Sequence, residues 1–260
     1  MRHLFSPAGR QALAAVLQRR PLLAFDFDGT LAPIVARPDE ARISAAVAHA
    51  LAQLARRRPV AIVTGRRVAD VRPRLGFEPA YVVGNHGAEG LPGAVAAAPA
   101  AAADPALDSA RQRLAHEAAR LAQAGVTVED KGASIALHYR LAPLPEMARS
   151  ELEALFATLP PGLRSFGGKR VLNLVPAGAP DKGAAVTRLL AHAGCDCAVF
   201  LGDDINDEAV FEVSAPDWLT VRIGRDEPAS RARFFLDTPA EVALLLQRML
   251  ALLGAPAADP

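Results

Sequence analysis

The 260-residue chain has only two cysteines, Cys195 and Cys197, one residue apart. Bridging across so short a span is geometrically awkward, and two thiols build neither a disulfide framework nor a four-cysteine zinc site. Their expected role is packing, in a reducing compartment. An excess of charge of either sign is also missing. The 29 basic and 28 acidic residues leave a formal +1, so no global field draws a polyanion, and neither nucleic acid nor an anionic membrane is expected as a partner. Nowhere do 18 uncharged apolar residues run together; the longest candidate, Leu91 to Ala103, contains Pro92, Gly93 and Pro99. Arg10, Gln18, Arg19 and Arg20 leave Ala12 to Leu17 too short for a signal peptide. These absences favour a cytoplasmic protein. Lysine is scarce as well, with Lys131, Lys169 and Lys182 set against 26 arginines.

Short apolar runs stand at Leu22 to Phe27, Pro59 to Val63 and Ala80 to Val83, ending in carboxylates, Thr64-Gly65 and Gly84-Asn85. Buried parallel strands have this pattern. Between the first two, Asp39 to Arg57 carries Ile43, Val47, Leu51 and Leu54 at helical spacing. Alternating strands and helices imply a doubly wound sheet with its chemistry at the carboxyl ends of the strands. The Ala/Pro stretch Leu91 to Pro105 reads as a linker. A different block follows. It comprises a helix Ala106 to Ala124, a hairpin Val126 to Asp130 and Ser134 to Arg140, a helix Pro145 to Leu159, and a second hairpin turning at Gly167-Gly168. From Asp181 the first pattern resumes: a helix to His192, a strand Ala198 to Leu201, a helix from Asp207, strands near Leu219 to Ile223 and Arg233 to Leu236, and a final helix to about Leu253. The second block is inserted into the first.

Four strings at strand or helix ends carry chemistry. Alternation puts Asp26 and Asp28 of Asp26-Phe27-Asp28-Gly29-Thr30 on one side of an extended chain, although an Asp-Gly turn would give the same letters. Thr64-Gly65-Arg66 offers a hydroxyl and a backbone nest for a phosphate oxygen, or is only a loop. Lys182 follows Asp181, a plausible helix N-cap, and a cation in a first helical turn costs roughly 0.3 to 1 kcal/mol against the macrodipole. A bound anion would offset that cost; a solvated lysine is the plain reading. Gly202 to Glu208 holds Asp203, Asp204, Asp207 and Glu208, whose repulsion calls for a cation. Hard oxygen ligands beside a phosphate indicate Mg²⁺, the spacing lacks the glycine of a calcium loop, and a solvated acidic helix start is the alternative.

In this order, the four strings resemble the haloacid dehalogenase (HAD) superfamily of phosphotransferases. The resemblance implies a doubly wound, Rossmann-like HAD core over residues 1–105 and 179–260, with an inserted α+β cap over residues 106–178. It also implies Asp26 as nucleophile, Asp28 as general acid and base, and Thr64 and Lys182 as phosphate holders. Asp26, Asp203 and the Asp28 backbone carbonyl would be the Mg²⁺ ligands. Gly65, Arg66, Asp204, Asn206 and Asp207 would face the phosphate or support those groups.

Within the superfamily, Gly84-Asn85-His86-Gly87-Ala88-Glu89, Glu129-Asp130-Lys131-Gly132 with Ala136 to Arg140, and Gly168-Lys169-Arg170-Val171 are similar to trehalose-6-phosphate phosphatases. That family commonly has glutamate where Asn173 stands and threonine where Asn206 stands. In the insert, Ile135, Leu137 and Tyr139 share one strand face and leave Ser134, Ala136, His138 and Arg140 on the other; Lys169 and Asn173 likewise oppose Leu172 and Leu174. The polar face is either a sugar-binding surface or merely the wet side of an antiparallel sheet. His86, Glu129, His138, Arg140, Lys169 and Asn173 are the candidates for holding a small phosphosugar substrate. The expected reaction is hydrolysis of trehalose 6-phosphate through an aspartyl phosphate. The alternatives are another sugar phosphatase, acting on sucrose phosphate or a glycosyl-3-phosphoglycerate, and a phosphosugar mutase.

Overall fold

The computed structural model describes residues 1–35, 37–93, 104–159, 161–225, 227 and 229–254. The chain divides into two compact units, one formed by Met1–Pro92 with Pro180–Pro260, the other by Gly93–Ala179. Most of the segment read as a linker, 94–103, lies outside the described residues.

The first unit contains β1 (Arg2–His3), α1 (Pro7–Leu17), β2 (Pro21–Phe25), α2 (Ala45–Ala55), β3 (Val60–Val63), α3 (Val68–Leu75) and β4 (Tyr81–Val83). The second contains α4 (Pro105–His116), α5 (Ala118–Gln123), β5 (Thr127–Asp130), β6 (Ile135–His138), α6 (Pro145–Phe156), β7 (Leu163–Gly168) and β8 (Val171–Pro176). The first unit then resumes with α7 (Lys182–His192), β9 (Cys197–Gly202), α8 (Glu208–Val213), β10 (Leu219–Ile223), β11 (Phe234–Leu236) and α9 (Pro239–Leu253). Among the described residues, no helix is long and apolar enough to cross a membrane.

In the first unit the strands form one parallel sheet in the order β1-β11-β10-β9-β2-β3-β4. Every residue of β2, β3, β9 and β10 is buried, as a sheet covered on both faces requires. Strand order reverses between β2 and β9, and the crevice beyond their carboxyl ends is where such sheets bind ligands. Phe25 stands opposite both Ile62 and Leu201, so Asp26, Thr64 and Asp203 leave the sheet at the same end.

The second unit is an antiparallel sheet in the order β5-β6-β8-β7. Ile135, Leu137, Tyr139, Leu172 and Leu174 form its core with Leu107, Leu114, Leu152 and Leu155 of α4 and α6.

Three sequence expectations need correction. The helix read from Asp39 starts at Ala45, where the Ser44 hydroxyl caps the Val47 N–H; a 3-10 turn covers Pro38–Glu40, and Ile43 lies between the two. The helix read from Ala106 to Ala124 breaks at Glu117, whose backbone has ψ 3°. The second hairpin turns at Lys169-Arg170 rather than Gly167-Gly168, with Arg170 supplying the positive φ of 61° that the glycines suggested. Lys169 therefore sits at the hairpin tip and not in the strand alternation that placed it beside Asn173.

Candidate active site

The Asp26 N–H donates to Leu201 O at 2.9 Å, carrying the β2–β9 ladder one residue beyond the strand. The chain then turns through Gly29, whose φ of 76° suits glycine, and a Cβ there would come within 2.0 Å of Asp203 Oδ2. The absent side chain lets the Asp26–Thr30 loop lie against Asp203, and the Thr30 hydroxyl donates to Asp203 Oδ1 at 3.3 Å.

Asp181 caps α7, its Oδ1 accepting the Ala184 N–H at 2.8 Å, so Lys182 occupies the first helical position. Lys182 Nζ lies 3.0 Å from Asp26 Oδ1 and 2.7 Å from Asp207 Oδ1. The other oxygen of Asp207 accepts the N–H groups of Asp203 and Asp204, at 2.9 and 3.0 Å. All four charged side chains are desolvated: residue exposure is 5% for Asp26, 1% for Lys182, 2% for Asp203 and 0% for Asp207. Burial alone would lower the Lys182 ammonium's pKa, but Asp207 and Asp26 outweigh burial and raise it. Burial pushes the Asp26 carboxyl well above the usual carboxylate range. Lys182 opposes that shift, and Asp207, Asp203 and Asp28 add to it. Asp26, Asp203 and Asp207 each offer an oxygen, all within 4.8 Å of one another, a cluster that could hold a metal ion.

Asp28 is placed differently. Its carboxylate is half-exposed and receives both Nε and Nη2 of Arg66, at 2.7 and 2.8 Å. Thr64 Oγ1 accepts the Arg66 N–H at 3.2 Å. A tight turn at Asn85–Gly87 folds over this loop: Asn85 N–H reaches Arg66 O at 2.8 Å, and His86 N–H reaches Thr64 O at 3.0 Å. A Cβ on Gly65 would fall 2.3 Å from the His86 ring. Asn85 and His86 both have positive φ, 48° and 58°, a strained conformation for side-chain-bearing residues that costs on the order of 1–3 kcal/mol each. Asp204 and Asn206 are partly buried; Asp204 accepts the Ile205 N–H at 2.8 Å and the Asn206 amide at 3.2 Å.

In the second unit, His138 Nε2 and Glu129 Oε2 are 2.8 Å apart, and the buried Lys131 ammonium stands 3.8 Å from the same oxygen. Asn173 is buried opposite Ala136 and Phe166. Arg140 Nη2 donates to Lys169 O at 3.1 Å, tying the hairpin tip to the end of β6.

Two residues, Lys131 and Arg222, have no role in the sequence expectations, and a third, Asp207, is more central than a supporting group. Asp207 is the hub that joins Lys182 to the Asp203 loop, which spacing alone could not distinguish from its acidic neighbours. Lys131 stands in the sequence only within the Glu129-Asp130-Lys131-Gly132 string, with no role of its own. Arg222, buried on β10 opposite Gly202, lies 3.2 Å from Glu208 Oε1 and 3.4 Å from Asp204 O, a cation beneath the acidic loop. An arginine within a short run of strand-forming residues, Leu219 to Ile223, was the available signal.

The family model described as Trehalose-phosphatase matches residues 24–239. The chain belongs to the trehalose-phosphatase family. Curated relatives named trehalose-phosphate phosphatase include one from Mycobacterium ulcerans, 35% identical over 247 residues, covering 88% of this chain and 61% of the relative. Another, from Mycobacterium tuberculosis, is 34% identical over 263 residues, covering 94% and 65%. The chain thus spans less than two thirds of the length of these relatives. Its fold is similar to the C-terminal domain of the trehalose-6-phosphate phosphatase of C. albicans, with a TM-score of 0.80, 23% identity and coverage of 94% and 97%. It is also similar to a HAD-superfamily phosphatase of Bacteroides thetaiotaomicron, with a TM-score of 0.60, 16% identity and coverage of 89% and 95%. The parallel sheet with a separate antiparallel insert is the fold class of HAD proteins that carry a cap domain.

Proposed function

We propose that this trehalose-phosphatase family member is a Mg²⁺-dependent phosphatase that hydrolyses trehalose 6-phosphate to trehalose and phosphate. The observation that carries the reading is the buried group of Asp26, Lys182, Asp203 and Asp207 at the point where strand order reverses.

A divalent cation fits this group. Three buried carboxylates face one ammonium, and their oxygens are the hard donors that Mg²⁺ prefers. Both Asp207 oxygens are already engaged, by Lys182 and by two N–H groups, so Asp207 serves better as the brace of the site than as a ligand. Asp26, Asp203 and the Asp28 carbonyl would hold the metal. When bound, Mg²⁺ would offset the repulsion between the carboxylates and a phosphate monoester of about two negative charges.

The Asp26 carboxylate attacks phosphorus as the P–O bond to the sugar breaks. Asp28 gives its proton to the departing sugar oxygen and then takes one from the water that cleaves the aspartyl phosphate. Lys182 neutralises charge on the transferring group. Thr64 accepts the Arg66 N–H, so its own O–H can donate to a phosphate oxygen. Glu129, His138, Arg140, Lys169, Asn173 and His86 recognise the sugar. Residues 1–105 and 179–260 form the catalytic core and residues 106–178 the cap, a division supported by the separation of Gly93–Ala179 as a compact unit of its own. Asn173 both donates and accepts hydrogen bonds, which suits a sugar hydroxyl without the charge-assisted bond of a glutamate.

The test is phosphate release from a panel of sugar phosphates with Mg²⁺ and with EDTA. Trehalose 6-phosphate should exceed the others by more than about tenfold, roughly 1.4 kcal/mol in transition-state binding. A better sugar phosphate overturns the substrate, activity undiminished by EDTA overturns the metal, and a requirement for a bisphosphate activator favours a mutase.

A further inference from the structure

Arg66 stands one residue beyond the Thr64-Gly65 pair, where a guanidinium could bind phosphate, yet its donors are spent elsewhere. Nε and Nη2 grip the two oxygens of Asp28, Nη2 also donates to Pro38 O at 2.8 Å, and Nη1 donates to Asp70 Oδ2 at 2.8 Å. The guanidinium lies over the Phe27 ring, 5.3 Å from its centroid. Asp70 is itself held by Arg74, through Nε at 3.1 Å and Nη2 at 2.5 Å. Arg66 is largely buried at 11% side-chain exposure, whereas Asp28 is 43% exposed. The immobile partner is the arginine.

An aspartate with little around it samples several rotamers, and a two-pronged planar grip removes that freedom. We propose that Arg66 is a positioning residue for Asp28: braced by Asp70, Pro38 and Phe27, it fixes the carboxyl where it can pass a proton to the departing sugar oxygen. The proposal rests on the acid and base role given to Asp28 above. In the first step the Asp26–phosphorus bond forms, the sugar–oxygen bond to phosphorus breaks, and the proton moves from Asp28 to the sugar oxygen. In the second, water supplies the oxygen that displaces Asp26, and its proton returns to Asp28.

The readout is the ratio of kcat/KM for trehalose 6-phosphate to that for 4-nitrophenyl phosphate. A sugar alkoxide needs the proton and a nitrophenolate does not. Arg66→Met should lower this ratio tenfold or more, and Arg66→Lys, which keeps the charge but not the planar fork, should lower it less. Asp28→Asn should also lower it, and Arg66→Met combined with Asp28→Asn should do no further harm, because both act through one proton. Thermal melting identifies any variant that fails to fold. If Arg66→Met does not fold, Asp70→Asn replaces it, with a smaller fall in the ratio expected and an unchanged ratio counting against the proposal. Equal losses on both substrates with a raised KM would make Arg66 a phosphate holder and overturn the proposal. Additive losses in the double variant would also overturn it. If Asp28→Asn itself leaves the ratio unchanged, the acid role of Asp28 fails, a result separate from failure of Arg66.

Discussion

The two units handle charge in opposite ways. At the ends of its central strands the parallel unit buries a group of ions and satisfies them with one another, so that Lys182, Asp26 and Asp207 meet without intervening solvent. The antiparallel unit leaves Glu129 and His138 substantially exposed, on the sheet face opposite its core, while covering Asn173 and Lys131. Desolvated, preorganised charge suits a developing transition state, because it does not have to reorganise as the reaction proceeds. Half-exposed hydrogen-bonding groups suit a polyhydroxyl ligand, which must exchange water for protein and be released again.

The sharpest way to break this contrast is Asp26→Asn, which should retain the fold yet bring turnover below about 10⁻⁴ of the parent, since most of a ~10⁶-fold or larger acceleration depends on the nucleophile. Near-parental activity in a purified, folded sample would remove the buried centre from the chemistry. Next in size, Asp203→Ala should weaken Mg²⁺ binding, measured calorimetrically, by more than about 100-fold, against about tenfold or less for Asp204→Ala, whose carboxylate is occupied in its own turn. Equal losses would mean that burial does not select the ligand. On the other unit, Arg140→Ala and Lys169→Ala should cost about tenfold in kcat/KM for trehalose 6-phosphate and much less for a small aryl phosphate, because a recognition face leaves phosphate binding alone. Parallel losses on both substrates would erase the distinction between the units.

The smallest effect concerns Asp70. Burial alone would raise its pKa, but hydrogen bonds from Arg74 and Arg66 lower it below its ordinary 3.8. A carboxyl depressed on folding adds stability above its unfolded pKa and loses it as pH falls through the folded value. The parent should therefore exceed Asp70→Asn in stability by up to about 1 kcal/mol at pH 7, discounted for partial exposure, and that advantage should shrink below about pH 4. Denaturant titrations at both pH values measure it.

Elements with one dominant signal were legible in the sequence. Leu219 to Ile223 and the helix following Asp181 coincide with β10 and α7, because apolar runs and caps act locally. The first of those runs conceals Arg222, whose partners Glu208 and Asp204 come from another element. Helix α3 was not anticipated. It carries Pro73 and two arginines in eight residues, and Val71 and Leu75 alone supply its buried side. The four strings of the site could be read because each sits at an element end. The Arg66–Asp28 pair spans 38 positions and could not be read, since no periodicity links a loop to another loop.

Strand β2 lies between β3 on one side and β9 on the other, and Phe25 and Cys197 are separated by the entire insert. During synthesis at about 5–20 residues per second, β2 waits on the order of ten seconds or more for the neighbour that completes its hydrogen bonding. Over that interval one edge of the central strand is open to other chains, and the insert, continuous in sequence from Gly93 to Ala179, is completed before β9 is made. Assembly of Asp26 with Lys182 is thus among the last events in making the molecule. A chain truncated before Pro180 would present Asp26 with neither Lys182 nor Asp203, and with the long-range pairing that holds its strand still unmade.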